Sequence, residues 1–164
     1  MLQQDETIIL PGQRIGMLGG GQLGRMSILA GRAMGYRFSV FDPARGSAAA
    51  MVADGQTVSP FSDLDALKQF GASVDRVTLE FENIPSAAVE AVEASGVSVF
   101  PGKEVLHICQ NRRREKRFLQ EHGFPCAPFA VAESADELEA GLQQIGYPCV
   151  IKTADFGYDG KGQV

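Results

Sequence analysis

The sequence predicts an α/β fold in which a parallel sheet forms a first domain and a second domain begins after it. Three observations predict this. Short β-rich runs alternate with helical stretches up to Pro101, the links between them are short, and a glycine-rich turn at Gly19–Gly24 joins the first strand to the first helix. Repeated β-α alternation with short links implies parallel strands covered on both faces.

Taken in order, Arg14–Gly19 reads as a short buried strand. Gly21–Gly35 reads as a helix with Leu23, Met26, Ala30, Ala33 and Met34 at helical spacing, stopped by Gly35. Arg37–Asp42 is a second strand, Gln56–Ser59 a third, Leu64–Phe70 a helix and Arg76–Phe81 a fourth strand. Pro85–Ser95 is a helix with proline at an early position, and Val97–Phe100 closes the series. The first domain is therefore expected over 1–101 and the second over 102–164.

In the second domain, Lys103–His122 is expected as one long helix and Pro128–Ala132 as strand-like. Ser134-Ala-Asp-Glu137 is a capping box opening a helix whose Leu138, Leu142 and Ile145 share a face, with Gly146 ending it. Cys149–Thr153 is expected as a strand and Phe156–Gly162 as a glycine-rich loop.

Composition narrows the function. The 164 residues are 45% apolar and 21% charged, enough for one core or one core and part of another. A net charge of -5 argues against a nucleic-acid or membrane-surface partner. Cys109, Cys126 and Cys149 show no metal or redox spacing and are expected as buried free thiols. The polar opening Met1–Glu6 is no signal peptide, and no apolar run approaches the ~20 residues of a membrane span, so the cytoplasm is expected.

Four segments carry chemistry. Gly19-Gly20-Gly21-Gln22-Leu23-Gly24 fits G-x-G-x-x-G, and Asp42 follows Gly24 by 18 residues, near where a dinucleotide fold places its ribose-binding acid. Glycines there let backbone amides approach a phosphate at a helix N-terminus. The motif alone would suit a nicotinamide or flavin enzyme, or a tight turn without ligand. Glu80-Phe81-Glu82-Asn83 ends a strand at the sheet edge where ligands bind. Alternation would put Phe81 on one face and both glutamates on the other, ready to accept hydroxyl or amine hydrogens, unless this is only a solvated loop entrance.

Gln110–Arg117 is a basic run that reads either as a solvated helix face or, along the Arg112–Lys116 stripe, as an anion contact. Lys152 ends a strand that reads as buried, a costly place for a cation unless it meets an anion. The segment Gly157-Tyr158-Asp159-Gly160-Lys161-Gly162-Gln163 suits a flap over phosphates, the bland alternative being a surface hairpin, and it is not a Walker A loop.

GGGQLGRM at Gly19–Met26, VFDP at Val40–Pro43, EFEN at Glu80–Asn83, QNRRREKRFL at Gln110–Leu119 and IKTADFGYDGKGQ at Ile151–Gln163 occur in that order. Together they resemble the 5-(carboxyamino)imidazole ribonucleotide synthetase family of ATP-grasp enzymes from about Arg14 to Val164. The resemblance implies a Rossmann-like pre-ATP-grasp domain followed by the start of an ATP-grasp domain. It implies ATP, Mg2+ and bicarbonate acting through carboxyphosphate on the exocyclic amine of 5-aminoimidazole ribonucleotide, and a homodimer.

By the same resemblance Gly21, Gln22, Leu23, Glu80, Glu82 and Asn83 would hold the ribonucleotide. Arg112, Lys152 and the loop from Gly157 to Gln163 would hold ATP, and Tyr158, Asp159 and Lys161 would close over the reacting centre. The family's adenine-binding segment, magnesium carboxylates and C-terminal domain lie further along than Val164, so the metal ligands are expected outside this chain and the chain alone is expected to be inactive. Other readings are a different ATP-grasp ligase of a ribonucleotide amine, a dinucleotide-binding module, and a non-catalytic ribonucleotide-binding domain.

Overall fold

A computed structural model describes residues 8–155 and 162–164, which divide between two compact units, Met1–Lys103 and Glu104–Val164. The first unit is built on five parallel strands: β1 (Arg14–Leu18), β2 (Arg37–Phe41), β3 (Gly55–Thr57), β4 (Arg76–Leu79) and β5 (Val99–Phe100). Their spatial order is β3-β2-β1-β4-β5. Register is set by Gly16 opposite Ser39 on one side of β1 and opposite Val77 on the other.

The helices follow from the connections. Helix α1 (Gln22–Ala33) links β1 to β2, α2 (Leu64–Ala72) links β3 to β4, and α3 (Ser86–Glu93) links β4 to β5. Residues alternate across β1. Met17 joins Ile28, Phe38, Val40 and Ala49 in the core under α1. Gly16 faces the other way, where a Cβ would stand 2.8 Å from the ring of Phe70 on α2. The sheet is thus covered on both faces. Burying each large apolar side chain of this core contributes ~1.5–3 kcal/mol.

The buried stripe of α1 differs from the expected one. Leu23, Met26 and Met34 are exposed, while Gly24, Ile28 and Gly31 face the sheet. The reason is distance: a Cβ on Gly31 would lie 2.4 Å from Phe38 Cζ, so only a helix face of small residues can come this close.

Three expectations fail in the second unit. The single helix over Lys103–His122 is two, α4 (Lys103–Cys109) and α5 (Arg112–Glu121). Asn111 lies between them in an extended conformation (φ -136°, ψ 118°), its side chain accepting hydrogens from the Arg113 and Arg114 amides. A residue that caps a new helix cannot continue the old one. Pro128–Ala132 forms no strand. Cys149–Thr153 is not a buried strand either: Val150 is 61% exposed, Lys152 is exposed, and its pairing among the described residues is a short antiparallel one with Gly162–Val164, bridged at Lys152 and Gln163. Pro128–Ala132 has β-prone residues but no backbone pairing among the described residues, and Cys149–Thr153 pairs with no more than the short Gly162–Val164 leg.

Helix α6 (Ala135–Ile145) starts at the expected Ser134 cap and ends at Gly146, which takes the left-handed φ of 80°. Cys109 is exposed and Cys126 and Cys149 are half-buried, so the expected burial of the thiols is not found. Among the described residues no helix is long and apolar enough to cross a membrane.

Candidate functional site

In the first unit the chain runs outward from β1 through β2 to β3 on one side, then crosses to β4 and on to β5 on the other, so the topological switch point lies between β1 and β4. Ligands in open parallel sheets bind beyond the C-terminal ends of the strands at such a point. Gly19–Gly21 follow β1 there, and Glu80 follows β4 there.

The glycine turn is shaped around Glu80. The Gly21 amide donates to the Glu80 carboxylate, and the Glu80 amide donates to the Leu18 carbonyl at 3.0 Å. A Cβ on Gly21 would stand 2.2 Å from Glu80 Oε1, and one on Gly19 would stand 2.9 Å from both Glu80 Oε2 and the Phe81 ring. Gly19 also has a φ of 101°, which side-chain-bearing residues rarely adopt. The free amides at the start of α1 attract negative charge, and α1 has no acidic residue in its own first turn. Glu80 supplies that charge from a neighbouring strand.

The expected separation of Phe81 from Glu80 is not found, because both side chains flank Gly19. Strand β4 ends at Leu79, and beyond it strict alternation no longer holds. Phe81 packs edge-on against Phe61, which in turn contacts Phe41. Gln22, Leu23 and Glu82 are exposed beside the turn and Asn83 is half-buried.

Asp42, marked by its spacing from Gly24, and Ser47, which was not expected, also border this turn. A Cβ on Gly20 would meet Ser47 Oγ at 2.2 Å and Asp42 Cγ at 2.8 Å. Asp42 turns its Oδ1 back to the Ala44 amide at 2.7 Å. Ser47 Oγ is buried and makes no hydrogen bond to a described group. The sequence carried no signal for Ser47; its place depends on how the link after β2 folds back, with the Ala49 amide donating to the Gly20 carbonyl at 2.9 Å.

The second unit has its own cluster. Ile151 and Val164 exchange backbone hydrogen bonds of 2.9 Å each, and the Thr153 amide donates to the Gly162 carbonyl at 2.8 Å. These bonds hold two hairpin legs together on either side of the glycine-rich segment. Gly157, Tyr158, Asp159, Gly160 and Lys161 lie outside the described residues, whereas Gly162 and Gln163 are on the far leg. The near leg meets the start of α5: the Arg112 amide donates to the Ala154 carbonyl at 2.9 Å, and Asn111 Nδ2 donates to Asp155 Oδ1 at 2.7 Å. Arg113 pairs with Glu133, and Arg114 Nε donates to the His107 carbonyl at 2.8 Å. Asn111 could have been read as an N-cap before a polar helix. Its contact with Asp155 has no local signal.

Among the described residues no three His, Cys, Asp or Glu side chains gather as a metal site.

Comparison with known proteins bears on both units. The family model described as "Ribonucleotide synthetase preATP-grasp domain" matches residues 12–110, and the ATP-grasp domain model matches residues 117–164. An N5-carboxyaminoimidazole ribonucleotide synthase of Brucella melitensis is 40% identical over 98% of this chain and 44% of its own length. A crystal structure of N5-carboxyaminoimidazole ribonucleotide synthetase in complex with ADP superposes with a TM-score of 0.86 at 41% identity, over 96% of this chain and 41% of its own. The Aspergillus clavatus N5-carboxyaminoimidazole synthase, in complex with ADP and 5-aminoimidazole ribonucleotide, gives a TM-score of 0.76 at 29% identity, over 93% of this chain and 40% of its own. The chain therefore spans less than half the length of these relatives.

Proposed function

The chain belongs to the family of ribonucleotide synthetase pre-ATP-grasp domains, and from that premise we propose that it is the front part of a ligase that carboxylates 5-aminoimidazole ribonucleotide. In this reading ATP and bicarbonate are the co-substrates, and the product is 5-carboxyaminoimidazole ribonucleotide. The relatives named for that synthesis, with ADP and the aminoimidazole ribonucleotide in their complexes, support it.

The observation that carries the reading is the Glu80 carboxylate on the Gly21 amide. A dinucleotide fold gives that amide to a pyrophosphate. Here a carboxylate already occupies the anion position, so the turn offers acceptor oxygens in place of a free amide. Acceptors suit ribose hydroxyls or an amine and repel a pyrophosphate. The glycine fingerprint thus serves a carboxylate, which favours a ribonucleotide amine over NAD.

The chemistry needs two steps. A bicarbonate oxygen attacks the γ-phosphorus of ATP, forming carboxyphosphate and releasing ADP. The exocyclic amine then takes the carboxyl carbon, loses a proton and releases phosphate. In this reading Glu80 and Glu82 orient the ribonucleotide, with Gln22, Leu23 and Asn83 beside it. Arg112, Lys152 and the Gly157–Gln163 segment hold ATP, and Tyr158, Asp159 and Lys161 stand at the reacting centre. Cations at the transferring phosphoryl group stabilise its developing charge, and enclosure protects an acyl phosphate from water. Magnesium neutralises phosphate charge in such reactions, and its ligands belong outside the described residues. A cytoplasmic homodimer is the assembly this function suits.

The test is ADP release by the gene product carrying this sequence at its native length. Release that requires both 5-aminoimidazole ribonucleotide and bicarbonate, and that falls with Glu80→Ala, supports the reading. NADH binding with no ribonucleotide-dependent ADP release would overturn it.

A further inference from the structure

We propose that Asn111 is a positioning residue for the nucleotide site, holding Arg112 and the Ile151–Asp155 leg in one register through its hydrogen bond to Asp155. The inference rests on the reading that Arg112 and Lys152 bind ATP.

Asn111 is only 3% exposed, and both polar ends of its side chain are used. Oδ1 accepts from the Arg113 amide at 3.0 Å and the Arg114 amide at 3.1 Å. Nδ2 donates to Asp155 Oδ1 at 2.7 Å, across 44 residues of sequence. The cap alone does not require asparagine, since Asp or Ser accepts the same two hydrogens. Of these, only asparagine also carries an N–H donor for a carboxylate on the opposite side.

The next residue extends the grip. The Arg112 amide donates to the Ala154 carbonyl, so Asn111 and Arg112 hold the consecutive residues Asp155 and Ala154. Lys152 is two residues back along the same leg, bridged to Gln163 on the far leg. That leg is poorly buried, with Ile151 39% and Val150 61% exposed. Apolar packing therefore does little to fix it, and directional hydrogen bonds decide where it sits. The two cations assigned to ATP thus stand on segments joined by this bond.

The variants separate the latch from the cap. Asn111→Asp keeps the cap, removes the donor and opposes two carboxylates. Asn111→Asp with Asp155→Asn reverses the polarity and restores the bond. In the gene product at native length, N111D is expected to raise KM for ATP about fivefold or more, with KM for the ribonucleotide within about twofold and Tm lowered, because the new carboxylate is buried facing Asp155. The double variant is expected to return KM for ATP to within about twofold of the parent.

Amide exchange at Arg112 and Thr153 should quicken in N111D and slow again in the double variant. An unchanged KM for ATP in N111D, a rise in both KM values, or a double variant no better than N111D would overturn the proposal. If the parent protein shows no ATP saturation, the functional reading fails instead, and the exchange data alone still report whether the latch exists.

Discussion

The Glu80 carboxylate accepts the backbone hydrogen of Gly21, placing a side chain from the end of β4 where the start of α1 would otherwise hold an external anion. Gly21 has an ordinary φ of -80°, so its lack of a Cβ serves space and not backbone conformation. Gly21→Ala puts a methyl group 2.2 Å from Glu80 Oε1 and must displace it. The expected cost is ~1–3 kcal/mol in stability, with weaker ribonucleotide binding. In a Glu80→Ala background the same change should cost less by at least ~1 kcal/mol, because the clash is gone while the cap penalty of alanine is common to both. Denaturant titration of the four proteins measures this, and additivity would show that the glycine has another purpose.

Gly31 gives a prediction of sign. Helix propensity alone says Gly31→Ala in α1 should stabilise by ~1 kcal/mol. The structure says the opposite, since the new methyl would lie 2.4 Å from Phe38 Cζ in a ring that is only 3% exposed. Overpacking is expected to destabilise by ~1–3 kcal/mol, and Phe38→Leu in the same chain should recover part of it. A raised Tm for the single variant would mean that α1 lies further from β2 than this structure has it.

Helix α1 shows how far the sequence can be read. Strand and helix placement in the first unit follow from alternating periodicity and short links, which are local signals, whereas the spatial order of the strands does not. The face of α1 was misjudged because Leu23 and Met26 are the more apolar residues, yet contact distance favours Gly24 and Gly31. Hydrophobicity does not encode distance. The second unit was harder for a related reason. Gln110 and Asn111 are compatible with a continuous helix, and the break depends on Asp155, which is distant in sequence. A strand at Pro128–Ala132 or a buried one at Cys149–Thr153 follows from β propensity, which reports packing against neighbouring strands; among the described residues the first segment has none and the second has a short exposed leg. EFEN reads as a candidate by its place at a strand end, whereas the contact of Glu80 with the Gly19–Gly21 turn depends on the pairing of β1 with β4.

Helix α6 tests capping where little else contributes. Ser134 Oγ accepts from the Glu137 amide at 3.2 Å, while the Glu137 carboxylate accepts from the Glu133 amide at 2.6 Å, one residue earlier than in the usual reciprocal box. No residue of α6 is fully buried, so the cap is a large share of what fixes its first turn. Ser134→Ala is expected to cost ~1 kcal/mol and to quicken amide exchange in that first turn, whereas Ser134→Asp should leave both near their original values. Equal exchange in the alanine variant would assign the turn's stability to packing instead.

Asp54 sets an acid limit on the first unit. Its carboxylate accepts from the Phe38 amide at 2.8 Å and from Arg32 at 2.6 Å, joining the last turn of α1 to β2. The Phe38 amide first, and then the Arg32 guanidinium, hold its pKa below the usual 3.8. A pKa lower in the folded state means the unfolded chain binds the proton first. The stabilisation is therefore complete above the unfolded value and is lost as pH falls through the folded one. The difference in Tm between the parent and Asp54→Asn should stay constant from pH 7 down to about pH 5 and shrink below about pH 4. Asparagine still offers one acceptor to Phe38 but none to Arg32 at the same time, so some of the difference at neutral pH comes from the lost ion pair. That part is screened by salt, and raising ionic strength at pH 7 should narrow the gap without closing it. A gap that instead widened on acidification would place the folded pKa of Asp54 above its unfolded value and reverse the role assigned to the Phe38 amide.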